Sequence, residues 1–466
     1  MSTITFSGLA SGIDSESLIK ATSEATRIAK VNPKEEKVTQ MESENSSLEE
    51  LKTMLNDLKD IVDGFSSING GAVAKSGTSS DETVVAASAS KMASRGSYVV
   101  EVEQLARNSS FAFISDNPYT DVTDKINSNI TEPQTVSMTI GSPSVLETIS
   151  VEVTNSTTLS DFVNKFNEQS DYAVASLVNK GTPASPDYVV MVVAENSGSE
   201  KGIASVTIPD DLKTGGVWDT GCVMIEGKDA LLNVNGVDLV RSSNTINDVI
   251  SGVTFTLNSI GSAFITVDTD KETTEANLQE FVDLYNDIIE YITKNDKVER
   301  DESGDEVSNT YGSLAKTNVD ENLMSSLRTD ISSAKIAAGK AVRIMADLGI
   351  TTKQDGTLNF DTDVLAEALE NNADDANEVT KALGDKMGLT SGTINIYIRF
   401  NGLIDLSINN NKTEISDLNE RISRAEEIIA QKEEAMRRRF ARLESTMSNL
   451  QSTQTSLTSM LSYGTK

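Results

Sequence analysis

The side chains that most often do chemistry near neutral pH are scarce in this chain. Histidine is absent, which removes the commonest general base and the commonest metal ligand. The single cysteine, Cys222, has no second thiol for an intrachain disulfide and no imidazole to take its proton, so it reads as a packed small side chain. The serines lack an activating base in the same way. The acidic run Asp301-Glu302-Ser303-Gly304-Asp305-Glu306 offers oxygen ligands for Ca²⁺. It lacks the twelve-residue spacing and terminal bidentate Glu of an EF-hand, and reads as a solvated loop. Gly8 to Gly12, GLASG, lacks the Lys-Ser/Thr ending and the preceding core strand of a phosphate loop. With 71 Asp and Glu in the chain, carboxylate pairs are too frequent for any one to be selected as acid and base. No catalytic residue, cofactor or metal is expected, and the chain is read as a non-enzymatic, self-assembling structural protein.

Charge narrows the partners. Against those acids stand 40 Lys and Arg, leaving a formal charge of −31. Such a surface repels phosphate and anionic lipid at long range, so neither nucleic acid nor a membrane is expected as a partner. No run of 18 apolar residues occurs, so no membrane-spanning helix is expected. Met1 to Asp14 has neither the basic start nor the apolar core of a signal peptide, and any export is expected to use another route.

What the residues do carry is periodicity. Asp14, with Glu16 following, reads as the cap of a helix that stops near Lys30. Asn32, Pro33 and Glu35 then resemble a cap, an N1 proline and a capping-box acid opening a second helix. In it Met41, Leu48, Leu51, Leu55, Leu58, Val62 and Phe65 fall mostly at steps of three and four, a coiled-coil seam that Asn69-Gly70-Gly71 ends. The C-terminal end repeats the signal with Ile415, Leu418, Ile422, Ala425, Ile429, Met436, Phe440, Leu443, Met447, Leu450, Leu457 and Leu461. No Gly or Pro interrupts that run, and at ~1.5 Å per residue it predicts a rod of roughly 70 Å. Arg437, Arg438, Arg439 and Arg442 read as a solvated or ion-paired face, answering acids such as Glu42, Glu44, Glu49 and Glu50, rather than as a nucleic-acid patch. The two ends are expected to meet, either as a hairpin within one chain or as helices shared between subunits. Exposed leucine seams are an aggregation liability for a monomer, which favours the shared bundle.

Between the ends the pattern turns to strands: Val84 to Ala89, Ser97 to Val102, Val136 to Ile140, Ile149 to Val153, Tyr188 to Val193, Leu232 to Val240, Val253 to Leu257 and Phe264 to Val267. Asn235-Gly236 predicts a two-residue hairpin turn, because both positions need positive φ. A short helix is expected over Leu159 to Asn167, with Thr158 and Asp161 as its capping pair. Helix returns at Thr274, a polar loop follows from Asn295 to Ser308, and a further helical stretch is expected over Asn322 to Leu348. Asp355-Gly356 predicts a turn between two short strands, before a helix capped near Asp361. The fold class is α+β and multidomain: terminal coiled-coil helices and a helical bundle, with inserted β-rich domains.

Several segments carry a family resemblance. They are GLASGIDSESLIK (Gly8 to Lys20), GSYVVEVEQLA (Gly96 to Ala106), NGVDLVRSSNTINDVISGVTFTL (Asn235 to Leu257), FVDLYNDIIEYI (Phe281 to Ile292) and LGITTKQDGTLNFD (Leu348 to Asp361). Together with the spacing of Phe440, Leu443, Met447, Leu450 and Leu457, they resemble the bacterial flagellar filament cap family, also called hook-associated protein 2. The landmarks run in the family's order through almost the whole chain, except over Phe111 to Asp229. Ala21-Thr22-Ser23-Glu24 departs from the apolar residues usual there. The resemblance implies a homo-oligomeric ring at the growing flagellar tip, outside the cell, reached by the flagellar type III apparatus without a cleaved signal peptide. It implies flagellin, hook-filament junction proteins and an export chaperone as partners, and a role in helping flagellin fold and insert rather than leak away. Four parts are expected: residues 1–43 with 416–466 as a coiled-coil leg, 44–74 with 271–415 as a helical domain, 75–110 with 230–270 as a β-rich head, and 111–229 as a distal β-rich head. Two other classes remain open from sequence, an adhesin-like binding module and a flagellin or hook-filament junction protein.

Overall fold

The computed structural model of the chain describes residues 12, 14–142, 145–214, 217–218, 221–301 and 308–463. Its helices are α1 (Ser15–Lys30), α2 (Asn32–Phe65), α3 (Leu159–Asn167), α4 (Lys271–Asn295), α5 (Val319–Ser333), α6 (Thr362–Met387), α7 (Thr393–Ile398) and α8 (Leu403–Tyr463). The chain divides into two compact units, one of residues 73–274 and one of residues 1–72 with 275–466. The GLASG segment except Gly12, and most of the acidic run at 301–306, lie outside the described residues.

The helical unit starts from local chemistry. Asp14 caps α1, accepting from the Ser17 N–H at 3.1 Å and the Ser17 hydroxyl at 2.6 Å, and these bonds hold its carboxyl below the usual range. The cap expected at Asn32 does not form. α1 runs to Lys30, so only Val31 separates the helices and Asn32 already lies inside α2. The Val31 carbonyl takes the N–H groups of Lys34 and Glu35 at 2.8 and 3.1 Å, while the Glu35 carboxylate turns to Arg27 at 2.7 Å. α2 and α8 are both unbroken, the latter over 61 residues.

Two further expectations are corrected. The polar loop after Asn295 contains a ribbon in which Val298–Asp301 pairs with Ser308–Tyr311, Val298 opposite Tyr311. The stretch expected as helix to Leu348 is helical only to Ser333. Beyond it, Gly339 takes a φ of +96°, Lys335 bridges Ile344, and a single 3₁₀ turn covers Met345–Leu348. The apolar spacing there comes from buried loop residues, Ala334, Val342 and Met345. The hairpin around Asp355-Gly356 joins Ile350–Thr352 to Leu358–Phe360, and Asp361 caps α6 by accepting from Asp363 and Val364.

The second unit holds two β-cores. In the first, a five-stranded antiparallel sheet has the order Ala74–Ser79, Gly261–Asp270, Gly96–Gln104, Ala230–Val234, Val237–Arg241. It shares a core that includes Val100, Leu232, Phe255 and Ile265 with the sheet of Thr245–Ile250, Val253–Leu257 and Val85–Ala89. Alternation along Gly261–Asp270 puts Ala263, Ile265 and Val267 inward. The Asn235-Gly236 turn has φ angles of +50° and +87°, the positive pair a two-residue hairpin needs. Between Gln104 and Ala230 the chain builds the second core. There the sheet of Val223–Ile225, Asn108–Phe113, Tyr188–Ser197 and Ala173–Asn179 shares its apolar interior with Val145–Val153, Gln134–Ser142, Ile203–Thr207 and α3. Phe113, Phe162 and Trp218 stack at centroid distances of 4.7 to 5.5 Å. Thr158 and Asp161 close the expected capping box on α3. Cys222 packs half-buried against this core.

Candidate functional site

The residues singled out by the seam lie in the helical unit, where α8 runs antiparallel to α2 and then to α1. Lys52 pairs with Asp405 and Lys37 with Glu414. Farther along α8, Arg27 of α1 meets Glu426 at 2.5 Å and Glu16 meets Arg437 at 2.6 Å. The arginines form the solvated, ion-paired face expected of them, but with other acids than Glu42, Glu44, Glu49 and Glu50. Arg437 answers Glu16 of α1, and Arg438 answers Glu434 one turn earlier on its own helix, because α1, not α2, lies beside this part of α8.

The seam residues fall into three groups. Leu48, Leu51, Leu55, Leu58, Val62 and Phe65 of α2 are buried within their own chain, Phe65 edge-on to Phe281 of α4 at 6.0 Å. Leu418 is buried, and Ile415, Ile422, Ile429, Met436, Phe440 and Met447 are half-buried. Leu443, Leu450 and Leu457 are 44%, 59% and 56% exposed, and every residue from 451 to 460 is exposed. The side chain of Leu461 lies outside the described residues. The heptad thus continues past Arg437, where α1 begins, as a row of leucines facing solvent.

Inside the paired region sits a polar layer that the apolar pattern skipped. The Asn411 side-chain amide donates to Glu44 at 2.9 Å and to Asn45 at 3.0 Å, and all three residues are buried. A buried polar contact of this kind fixes the register of two helices, since sliding by a turn leaves its members unpaired. Its signal was present: Ile404, Ile408, Asn411, Ile415 and Leu418 keep the steps of four and three, with Asn where an aliphatic belongs.

Two family models match the chain: residues 11–109 match the flagellar hook-associated protein 2 N-terminus, and residues 227–452 its C-terminus. The flagellar hook-associated protein 2 of Salmonella typhimurium is 28% identical over 246 residues, covering 50% of this chain and 52% of that relative. The chain therefore spans about half the length of this relative. The A-type flagellar hook-associated protein 2 of Pseudomonas aeruginosa is 26% identical over 379 residues, with 75% of this chain and 76% of the relative covered. In fold, the chain is similar to the D1-D2-D3 domains of the flagellar cap protein of Escherichia coli, with a TM-score of 0.59 at 22% identity. That match covers 78% of this chain and 99% of the other. With both terminal models matched and the α+β architecture in common, this chain belongs to the flagellar hook-associated protein 2 family.

Proposed function

We propose that this chain is the structural cap at the distal end of a bacterial flagellar filament. As a homo-oligomer it helps flagellin fold and insert and prevents its loss. The observation that carries the reading, beside family membership, is the pair of terminal helices, whose heptad runs past its own partner into solvent. Helices that leave a leucine row uncovered are suited to packing against neighbouring copies. In this reading residues 1–43 with 416–466 form the leg, 44–74 with 271–415 the helical domain, and the strand-rich parts the head. Its seam combines the buried α2 stripe with the α8 row that ends in Leu443, Leu450 and Leu457. The partners are other copies, flagellin, the hook-filament junction proteins and an export chaperone for the C-terminal helix. The chain acts outside the cell after export through the flagellar type III apparatus, and it performs no catalysis. Among the described residues no helix is long and apolar enough to cross a membrane.

Deleting the gene tests this. The deletion strain is expected to swim poorly and to release monomeric flagellin into the medium, and a plasmid copy restores both. Filaments of normal length in the deletion strain would refute the proposal.

A further inference from the structure

The turn Arg399-Phe400-Asn401-Gly402 between α7 and α8 is built tightly. The Arg399 N–H donates to the Asn395 carbonyl at 3.1 Å, the Gly402 N–H to the Arg399 carbonyl at 2.7 Å and the Asn401 N–H to the Asp405 carboxylate at 3.1 Å. A Cβ on Gly402 would lie 2.5 Å from the Tyr397 carbonyl oxygen, so only glycine fits. Tyr397, Ile398 and Ile404 are buried beneath the turn. On this fixed base Phe400 stands 88% exposed, and Ile396, Leu403 and Leu406 on the flanking helices are exposed too. A turn fixed in this way leaves the backbone beneath the ring little freedom to lose on binding, which suits an interface anchor. Beside it Arg399 is exposed and makes no ion pair among the described residues.

A groove of about 580 Å³ lies between α1 and α8. Its apolar surface comes from Ala21, Ile429 and Ala430. At its rim Arg27 and Glu426 neutralise each other, leaving Lys20 against Glu24 and Glu433, a net charge of −1. Ser23, also in its lining, has a buried hydroxyl with no hydrogen-bond partner. Knob and groove are complementary: the groove takes the ring, and its free carboxylates take the guanidinium.

We propose that the Arg399-Phe400 knob docks into the α1/α8 groove of a second copy of this chain. Leu403, beside the knob, and Ile429, in the groove, are separated along one straight helix by roughly 39 Å at ~1.5 Å per residue, so the two cannot meet within one molecule. The contact joins different surfaces, head to tail, and such contacts close into rings when the rotation permits. The second copy is favoured over an unrelated partner because one chain carries both halves and their charges cancel. The inference rests on the homo-oligomer proposed above.

Light scattering of the full-length chain across a concentration series tests it. Phe400→Ser is expected to raise the concentration needed for assembly at least tenfold with the thermal melt unchanged. Arg399→Glu should weaken assembly likewise, and Glu24→Arg with Glu433→Arg should restore it. A photo-crosslinking phenylalanine at 400 should label the Ile429 segment of another, isotopically distinct copy. An oligomer unaffected by Phe400→Ser, or adducts to flagellin or to another face, would overturn the docking while leaving the cap reading standing. A wild-type chain monomeric at every concentration sinks both.

Discussion

Asp320 is the residue whose surroundings most oppose its chemistry. It lies in the first turn of α5, fully buried, and neither carboxylate oxygen has a hydrogen-bond partner. Burial, with the like charge of Asp296 adding, pushes its pKa up to about 6 from an ordinary 3.8. A carboxyl with a raised folded-state value binds its proton more tightly when folded. Its contribution to stability is therefore fully present below the unfolded value and is lost as pH rises through about 6. At pH 7.5 the buried charge costs on the order of 3 kcal/mol, at 1.36 kcal/mol for each tenfold change in proton affinity. Asp320→Asn is expected to stabilise the chain by up to about that amount at pH 7.5, and by roughly half as much at pH 5. Urea denaturation of both proteins at the two pH values checks it, and a pH-independent difference would show that Asp320 does not titrate in this range.

Among the elements, α6 crosses closely over the end of α2. Gly384 is buried in the last turn of α6. A Cβ there would sit 2.5 Å from the Phe65 carbonyl carbon and the Ser66 nitrogen, both backbone atoms that cannot rotate away. Gly384→Ala is expected to destabilise by about 1–3 kcal/mol despite its better helix propensity, measured as a lower denaturation midpoint with an unchanged slope. A gain in stability would mean that the two helices separate more easily than this packing implies. The same crossing marks the limit of what the sequence made legible. Asp14 as a cap, the Thr158 and Asp161 box and the Asn235-Gly236 turn were readable because each involves residues within four positions of one another. Asn32 misled because the chain stays helical through Val31, which caps both α1 and α2, so that Asn32 already lies inside α2. The ribbon of Val298–Asp301 with Ser308–Tyr311 lacks the apolar alternation that announces a strand. The α1/α8 groove joins residues 20–27 to 426–433, and no local pattern predicts which helix faces come together. Part of it is Ala21, Ser23 and Glu24.

For the whole molecule, the balance lies between a formal charge of −31, which drives copies apart, and the leucine row on α8, which draws them together. The chain's own helices cover α8 as far as Arg437, opposite Glu16, and beyond that point Leu443, Leu450 and Leu457 lie about half exposed. Substituting exposed residues changes monomer stability little, usually within about 0.5 kcal/mol each. Burying a leucine against a neighbour is worth about 1.5–3 kcal/mol for a fully exposed side chain, and correspondingly less here. The triple variant Leu443→Ser, Leu450→Ser, Leu457→Ser is therefore expected to melt like the parent but to associate at least about a hundredfold more weakly, since each 1.4 kcal/mol is tenfold. Salt separates the two terms. Raising ionic strength toward 0.15 M shortens the Debye length to about 8 Å, so the parent should assemble more readily as charge repulsion is screened, while the triple variant stays weak. Sedimentation velocity at low and physiological salt distinguishes the cases. If the variant assembles like the parent once salt is added, charge alone governed association and the leucine row is not an assembly surface. If its melting temperature falls by several degrees, those leucines are packed within their own chain instead.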